Sequence, residues 1–512
     1  MRALISVSDK TNVVEFAKEL EKLGYEIIST SGTMKMLREA GVLVTSVSDV
    51  TGFPEICDGR VKTLHPKIHG GLLARRDLAS HKKDLDDNGI SYIDLVCVNL
   101  YPFAKAIANP NHTLEDAIEN IDIGGPSMLR SAAKNYASVT VLCDPADYAK
   151  ALEQIKENGN TTFEFRQYLA YKVFTHTANY DTMISSYLAK VCNVSDELHI
   201  TASKVCDLRY GENPHQKAAF YQSSKNPNFN LSCAKQLNGK ELSYNNIQDA
   251  NAALSIVKEF RTPFCVALKH MNPCGAAIAS DGLTAWRKAY EADTTSIFGG
   301  IVATNCEVTK EMALEMKAIF LEVIMAPKFS DEALKVLCKK KNVRLLEVSM
   351  NYDDTISDKQ IVSVCGGYLV QDFDSEKFTK DVQADMCVTT TKPTNEEISD
   401  MNFAWRIVKH VKSNAIVIAK NGQTLGIGAG QMNRIGSAHL AIEEAHALGF
   451  TSDLVMASDG FFPFDDCVKY AHENGVKAIV QPGGSVRDED SIKAANEFGI
   501  SMLFTGMRHF KH

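Results

Sequence analysis

The sequence contains no C-x-x-C pair, although it has 13 cysteines. An odd, scattered set without that spacing argues against a disulfide framework or a zinc ribbon, and predicts reduced, mostly buried thiols that act as small hydrophobes. Basic charge is not in excess: 55 Lys and Arg face 63 Asp and Glu, a formal net charge of -8. That balance removes the simplest electrostatic case for a nucleic-acid partner, and leaves room for small anions held by a few local cations. No apolar run approaches the ~20 residues that span a bilayer, and the opening Met1 to Ser6 reads as a strand without a signal-peptide core. A cytoplasmic protein without a membrane partner is expected. The phosphate loop G-x-x-x-x-G-K-[ST] is absent. Gly426-Ile427-Gly428-Ala429-Gly430 approximates a dinucleotide fingerprint, but Gln431 stands where the last glycine belongs and no acidic ribose partner is clear downstream. His439 and His446, seven apart with Glu443 and Glu444 between them, lack the zinc-protease spacing and read as surface helix.

What is present is an ordinary globular balance of 45% hydrophobic and 23% charged residues over 512 positions, enough for about three domains at ~150 residues each. Short β-branched runs (Ala3 to Ser8, Tyr25 to Thr30, Val42 to Val47, Asp94 to Leu100, Ser138 to Cys143) alternate with helical patterns (Asn12 to Leu23, Met34 to Ala40). That rhythm predicts α/β architecture with a parallel sheet. A long helical stretch over about Thr162 to Val191 gives way near Asn193 to turn-forming sequence, which puts a first boundary at about 198. Beyond it, Phe264-Cys265-Val266-Ala267-Leu268-Lys269-His270 is echoed by Ala415-Ile416-Val417-Ile418-Ala419-Lys420-Asn421. The echo suggests a duplication joined near Asp372 to Asn395, with subdomains 199–375 and 376–512.

Several polar segments sit where such sheets bind ligands, at the carboxyl ends of strands. Ser6-Val7-Ser8-Asp9-Lys10-Thr11 and Ser29-Thr30-Ser31-Gly32-Thr33 each offer hydroxyls and amides before a helix, as a phosphate cradle or as plain helix caps. Gly59-Arg60-Val61-Lys62-Thr63-Leu64-His65-Pro66 gathers two cations and an imidazole; on extended backbone Arg60 and Lys62 would share one side. Ile121-Asp122-Ile123-Gly124-Gly125-Pro126 opens a helix over Ser127 to Lys134 with free amides beside a carboxylate, a place where an anionic intermediate could be held without metal. Leu208 to Gln216 has no hydrophobic period and reads as a ligand loop. Lys269-His270 closes an apolar strand, and the Lys cation would keep the neighbouring imidazole neutral, as a general base acting on a weak amine nucleophile requires.

In order along the whole chain, Gly59 to Pro66, Asn99-Leu100-Tyr101-Pro102-Phe103, Ile121 to Gly125, Ala132-Ala133-Lys134-Asn135, Arg209 to Gln216, Lys269 to Gly275 and Ser458 to Phe464 resemble the family that joins phosphoribosylaminoimidazolecarboxamide formyltransferase to IMP cyclohydrolase. The resemblance implies an N-terminal methylglyoxal-synthase-like cyclohydrolase domain. Lys62, Tyr101, Asp122 and Lys134 match its catalytic positions, and Ser8, Lys10, Ser31, Gly32, Thr33, Arg60, Thr63, Gly124 and Gly125 its nucleotide surroundings. It implies a duplicated cytidine-deaminase-like C-terminal region that departs from zinc deaminases, because H-x-E followed by P-C-x-x-C is missing. No catalytic metal is expected.

There Lys269 and His270 fall on the transformylase pair. Arg209, Tyr210 and Asn414 match substrate-binding positions, Arg209 suiting a phosphate fork, and Phe298, Arg434, Ile435, Phe464 and Asp466 match the folate pocket. The implied cosubstrate is 10-formyltetrahydrofolate, and the implied partner is a second copy that completes composite formyltransferase sites. Two rivals are a zinc-independent nucleotide deaminase, which would need a water-activating group, and a non-catalytic sensor of a phosphorylated metabolite.

Overall fold

The computed structural model describes residues 1–194, 197–352, 359–375 and 379–512. The chain forms two compact units, Met1–Thr201 and Ala202–His512. The subdomain boundary expected at position 376 lies outside the described residues.

The first unit is built on five strands, β1 (Arg2–Ser6), β2 (Glu26–Ser29), β3 (Val44–Ser46), β4 (Leu95–Val98) and β5 (Thr140–Leu142). They pair in parallel in the order β3-β2-β1-β4-β5. All four residues of β4 are buried, because helices cover both faces of a parallel sheet and its strands become continuous apolar runs. A 30-residue helix, Phe163–Cys192, is capped by the Thr162 side chain. Its buried residues Phe165, Leu169, Val173, Thr177 and Tyr180 recur every three or four positions, the period of one helical face.

The second unit adds a two-stranded ribbon of β6 (Ser203–Leu208) and β7 (Ala218–Gln222), then β8 (Lys235–Asn238), β9 (Phe264–Lys269), β10 (Asn272–Ile278), β11 (Gly300–Thr304), β12 (Leu321–Ala326) and β13 (Arg344–Glu347). A second ribbon, β14 (Lys359–Val364) with β15 (Gly367–Asp372), precedes β16 (Ile416–Lys420), β17 (Gln423–Gly428), β18 (Leu454–Ser458), β19 (Val476–Gln481) and β20 (Ser501–Phe504). Eleven strands make one sheet in the order β20-β19-β18-β16-β17-β10-β9-β11-β12-β13-β8. Strand alternation divides its two faces. Val266 and Leu268 pack with the helices Tyr244–Val257 and Asn395–Val408, while Cys265 and Ala267 face the helix Gly282–Ala292.

The sheet reads as two halves meeting at β10 and β17. In each half a helix precedes a hairpin, and both helices open with a capping box, at Ser243 and at Thr394. The side-chain pattern Ile247, Asp249, Asn251, Ala253, Ile256, Val257, Lys258 recurs as Ile398, Asp400, Asn402, Ala404, Ile407, Val408, Lys409, each pair 151 positions apart. The same offset relates Gly275 to Gly426. A Cβ on either would run into a helix carbonyl, Ala289 or Ala441, so both glycines serve helix-to-strand contact. Gly428 likewise lies against Ser437, which accounts for the incomplete dinucleotide fingerprint by packing.

The offset also relates Glu259 to His410, and these two meet: His410 Nε2 is 3.0 Å from Glu259 Oε1, with Lys409 Nζ at 2.5 Å. Burial pushes the His410 imidazole down to about 4. Burial opposes ionisation of Glu259, yet His410 and Lys409 outweigh it and hold the carboxyl at about 2.

The cysteines depart from expectation. All 13 are free, but only Cys97, Cys265 and Cys467 are buried, while Cys57, Cys192, Cys206, Cys338 and Cys365 are exposed. The exposed ones sit in turns, at a helix end or on a ribbon, where the backbone path and not the thiol's hydrophobicity fixes exposure.

Candidate functional site

β1 and β4 are neighbours, but the chain proceeds from them toward opposite sides of the sheet, so a crevice opens beyond their carboxyl ends. Asn99, the residue after β4, closes its floor: its side-chain oxygen accepts the amides of Ser8 at 2.6 Å and Asp9 at 2.8 Å, and its amide group donates to the Asp9 carbonyl at 3.2 Å. Lys10 donates to Thr33 Oγ1 at 2.7 Å and to the Val7 carbonyl, and burial lowers its pKa. Thr33 is buried in the first turn of the helix Ser31–Glu39, where Ser31 and Gly32 stay exposed. The unpaired amides of that turn face a place suited to an anion.

On the other rim, Asp122 accepts the Gly125 amide at 2.9 Å, while its own amide donates to the Tyr180 hydroxyl at 2.8 Å. Burial raises the Asp122 pKa; the amides of Gly125 and Tyr101 and the Lys62 charge oppose the rise. Lys62 Nζ also lies 3.4 Å from Glu55 Oε1, and Ser31 Oγ donates to Glu55 Oε2 at 2.8 Å. Thr63 is buried with its hydroxyl against Gly124, where a Cβ would lie 2.7 Å from it. Lys62, Tyr101, Asp122 and Gly125 thus share one wall of the crevice, where a carboxyl whose pKa is raised by burial stands beside a cation.

Three expectations change. The helix after Asp122 starts at Gly124, three residues early, because Asp122 itself supplies a partner for a first-turn amide. Arg60 has helical backbone (φ -65°, ψ -29°) at the end of a 3-10 turn, so it does not project beside Lys62; it pairs with Glu119. Lys134 is exposed at the far end of the helix Gly124–Lys134, about 15 Å along it from Gly124, and the wall formed by Lys62, Tyr101 and Asp122 does not include it.

In the second unit the sheet itself aligns the candidates. β9 and β10 run antiparallel, as do β10 and β17, β17 and β16, and β9 and β11. The carboxyl end of β9 therefore shares one sheet edge with the start of β16. Lys269 closes β9 and donates to the Phe298 carbonyl at 2.9 Å, just before β11. His270 is exposed at the hairpin tip. Asn272 links the halves by accepting the Lys412 amide at 3.0 Å.

Two residues on, Asn414 accepts from Arg434 Nη2 at 2.8 Å and donates to the Gln431 carbonyl at 2.8 Å. Arg434 is buried, its guanidinium also engaging Ser458 and Asp459. Its role is to hold Asn414 and the end of β18, while Ile435 beside it is partly buried. Phe464 is exposed, with Arg487 5.0 Å from its ring centroid, and Asp466 begins the helix Asp466–Glu473. Phe298 is exposed beside Phe320 at 5.4 Å.

Arg209 and Tyr210 lie in the β6–β7 loop, outside the 11-stranded sheet, with the guanidinium 4.7 Å from the ring centroid and Nη2 2.9 Å from the hydroxyl. Among the described residues, no group of three or more His, Cys, Asp or Glu is arranged to hold a metal ion.

Glu55, Asp249 and the linking roles of Asn99 and Asp459 escape the motif-based reading. Only Asp249 carries a sequence signal, its recurrence as Asp400; the others act across 24 to 91 residues of chain, which no local pattern records.

The chain matches the family model described as AICARFT/IMPCHase bienzyme over residues 132–444 and the MGS-like domain model over residues 12–127. Among curated relatives, the bifunctional purine biosynthesis protein PurH of Anoxybacillus flavithermus is 58% identical over 515 residues, covering 100% of this chain and 99% of that protein. The protein of the same name from Oceanobacillus iheyensis is 55% identical over 515 residues, with the same coverage. A solved chain titled "Crystal structure of ForH" shares 38% identity, covers 36% of this chain and 97% of that chain, and has a TM-score of 0.33, too low for a structural argument. The full-length agreement, with the domain order of both family models, shows that the chain belongs to the AICARFT/IMPCHase bienzyme family.

Proposed function

We infer that this enzyme completes IMP synthesis by two steps: it transfers a formyl group from 10-formyltetrahydrofolate to 5-aminoimidazole-4-carboxamide ribonucleotide, then closes the formylated product to IMP with loss of water. The observation that carries the reading is the end-to-end match to the PurH relatives. Neither a deaminase nor a non-catalytic sensor accounts for that match.

The crevice of the first unit is the cyclohydrolase site. The exposed first turn of the helix Ser31–Glu39, with Ser8, Lys10 and Thr33 around it, takes the phosphate. Ring closure joins the carboxamide nitrogen to the formyl carbon; Lys62 stabilises the oxyanion that develops, and Asp122 orients the carboxamide and takes up its proton. Tyr101 closes the same wall. Lys134 and Arg60 rest on family resemblance alone.

The sheet edge of the second unit is the formyltransferase site, built from cytidine-deaminase-like subdomains at 199–375 and 376–512. The substrate amine attacks the formyl carbon, the bond from that carbon to folate N10 breaks, His270 takes the amine proton, and Lys269 assists the formyl oxygen or the departing nitrogen. Asn414, Arg209 and Tyr210 bind the ribonucleotide, while Phe298, Phe464, Ile435 and Asp466 line the folate side, with Arg434 supporting them. No step needs a resident metal.

A second copy completes this site. The ribbon β14–β15 supports pairing, since it exposes Ile361, Tyr368 and Leu369, and an isolated two-stranded ribbon is marginal in water. A cytoplasmic setting is consistent with thirteen unpaired cysteines.

The test is chromatography of products after incubation with both substrates, each omitted in turn, alongside light scattering for mass. Folate-dependent IMP from a dimer is expected. Absence of any product from a confirmed dimer would overturn the reading.

A further inference from the structure

The two halves of the second unit place the same turn at the tips of their central hairpins. Lys269 pairs with Asn272 and Lys420 with Gln423, leaving two-residue loops, His270-Met271 and Asn421-Gly422. All four loop residues have positive φ: 53° and 64° in the first, 55° and 67° in the second. That is the mirror-image turn suited to strand twist, and Asn-Gly is its favoured sequence. His is tolerated on this backbone, but Met at the second position is not favoured, because its apolar side chain makes no local hydrogen bond to offset the cost of a positive φ.

Each turn is held from below by a carboxylate from the preceding helix. Asp400 accepts the Asn421 amide at 2.8 Å and the Gly422 amide at 2.7 Å. Asp249, 151 positions earlier, accepts the Met271 amide at 2.7 Å. Burial raises the Asp249 pKa, and the Met271 amide, the His270 imidazole and the His270 amide all favour its charged form against that rise. A second brace, the Asn272 side chain, donates to the His270 carbonyl at 3.2 Å. The second half keeps a turn whose residues would adopt it unaided; the first half keeps the same brace under a turn whose Met271 would not.

We propose that Asp249 is a positioning residue for formyl transfer, whose carboxylate fixes the unfavourable His270-Met271 turn and so sets where the imidazole stands at the sheet edge. This rests on the reading of His270 as the base. A general base must stand within about 3 Å of its proton, and a displacement of about 1 Å costs on the order of 100-fold in rate.

The internal repeat supplies the control. In the full-length protein, Asp249→Asn is expected to lower kcat for formyl transfer about 100-fold while KM for the ribonucleotide changes less than about three-fold, the signature of a lost transition-state interaction. Cyclisation of the formylated intermediate should be unchanged. Asp400→Asn, the same lesion in the other half, is expected to lower the unfolding midpoint while formyl transfer stays within about two-fold. Adding Met271→Gly to Asp249→Asn gives the turn the residue the second half already has, and should recover about ten-fold in kcat. Should Asp249→Asn not fold, Asp249→Glu, which keeps the charge but shifts the oxygens, carries the same expectation in kcat and KM.

Equal losses of formyl transfer in Asp249→Asn and Asp400→Asn, or no recovery with Met271→Gly, would overturn the positioning role. An active His270→Ala would overturn the assignment of the base and this proposal with it. An inactive His270→Ala beside a fully active Asp249→Asn would remove the proposal alone.

Discussion

On the proposed reading, the crevice of the first unit and the sheet edge of the second solve the same problem, holding an anionic nucleotide against a polar reaction, by opposite means. The crevice uses what a parallel sheet provides without special effort: strand ends, exposed helix amides and a topological switch point. The edge uses antiparallel hairpins, whose tips offer no free amides at a helix start, so its His sits on a turn held in an unfavourable conformation, beside the Lys that ends β9. Binding potential comes with the first architecture; in the second, position is made by a half-buried brace. Function in the crevice should therefore tolerate changes in backbone strain, and function at the edge should not.

The sharpest way to break that comparison is to separate the two activities. His270→Ala is expected to remove general-base assistance and lower formyl transfer by about 10²–10⁴-fold while sparing cyclisation. Lys62→Ala is expected to lower cyclisation by about 10²–10³-fold and spare formyl transfer. Separate assays on each substrate check both. Loss of both activities from either change in a folded protein would mean that the sites are not independent.

Next in size is the buried ion cluster that joins the halves of the second unit. Glu259→Gln leaves Lys409, 1% exposed, without its carboxylate partner, and removing one member of a buried pair costs about 3–5 kcal/mol. Denaturant unfolding should show it in the second unit, with cyclisation unaffected under native conditions.

Smaller effects are expected where the halves pack alike. Gly275→Ala and Gly426→Ala each push a methyl against a helix carbonyl, and overpacking of this kind costs about 1–3 kcal/mol. If Gly275→Ala alone also reduced formyl transfer by more than its loss of stability explains, the edge would depend on the exact seating of the helix Gly282–Ala292.

A last effect is one of pH. His410 has a folded pKa depressed from 6.5 to about 4, chiefly by burial. A depressed group contributes stability above its unfolded pKa and loses it as pH falls toward the folded value. The unfolding midpoint of the second unit should thus decline between about pH 6.5 and 4, and His410→Gln should flatten that slope. Glu259, depressed from 4.5 to about 2, adds a further loss as pH falls from about 4.5 toward 2.

Much of the architecture was legible along the chain. The rhythm of strand and helix in the first unit and the long helix from about Thr162 follow local periodicity, which depends on near neighbours and is written in consecutive residues, and the echo of Lys269-His270 in Lys420-Asn421 is a likeness between two stretches of the string. The candidate site was legible in part, as segments. What escaped was whatever depends on two distant segments meeting. Arg60 turned away from Lys62 because a turn at Cys57–Gly59 redirects the backbone. Arg434 proved to be a buried support, since Asp459 and Asn414 reach it across the sheet edge.

By itself the sequence determined the α/β character of both units, the duplication in the second, and the family to which the chain is similar, because composition, period and ordered motifs are properties of the string. Only the tertiary structure decided that the two halves merge into one 11-stranded sheet, that Glu259 meets His410 at the join, and that Asp249 stands beneath the His270 turn. Those outcomes depend on burial and on hydrogen bonds between residues about 20 to 150 positions apart, and burial is set by what the rest of the chain places around a residue, not by the residue or its neighbours in sequence.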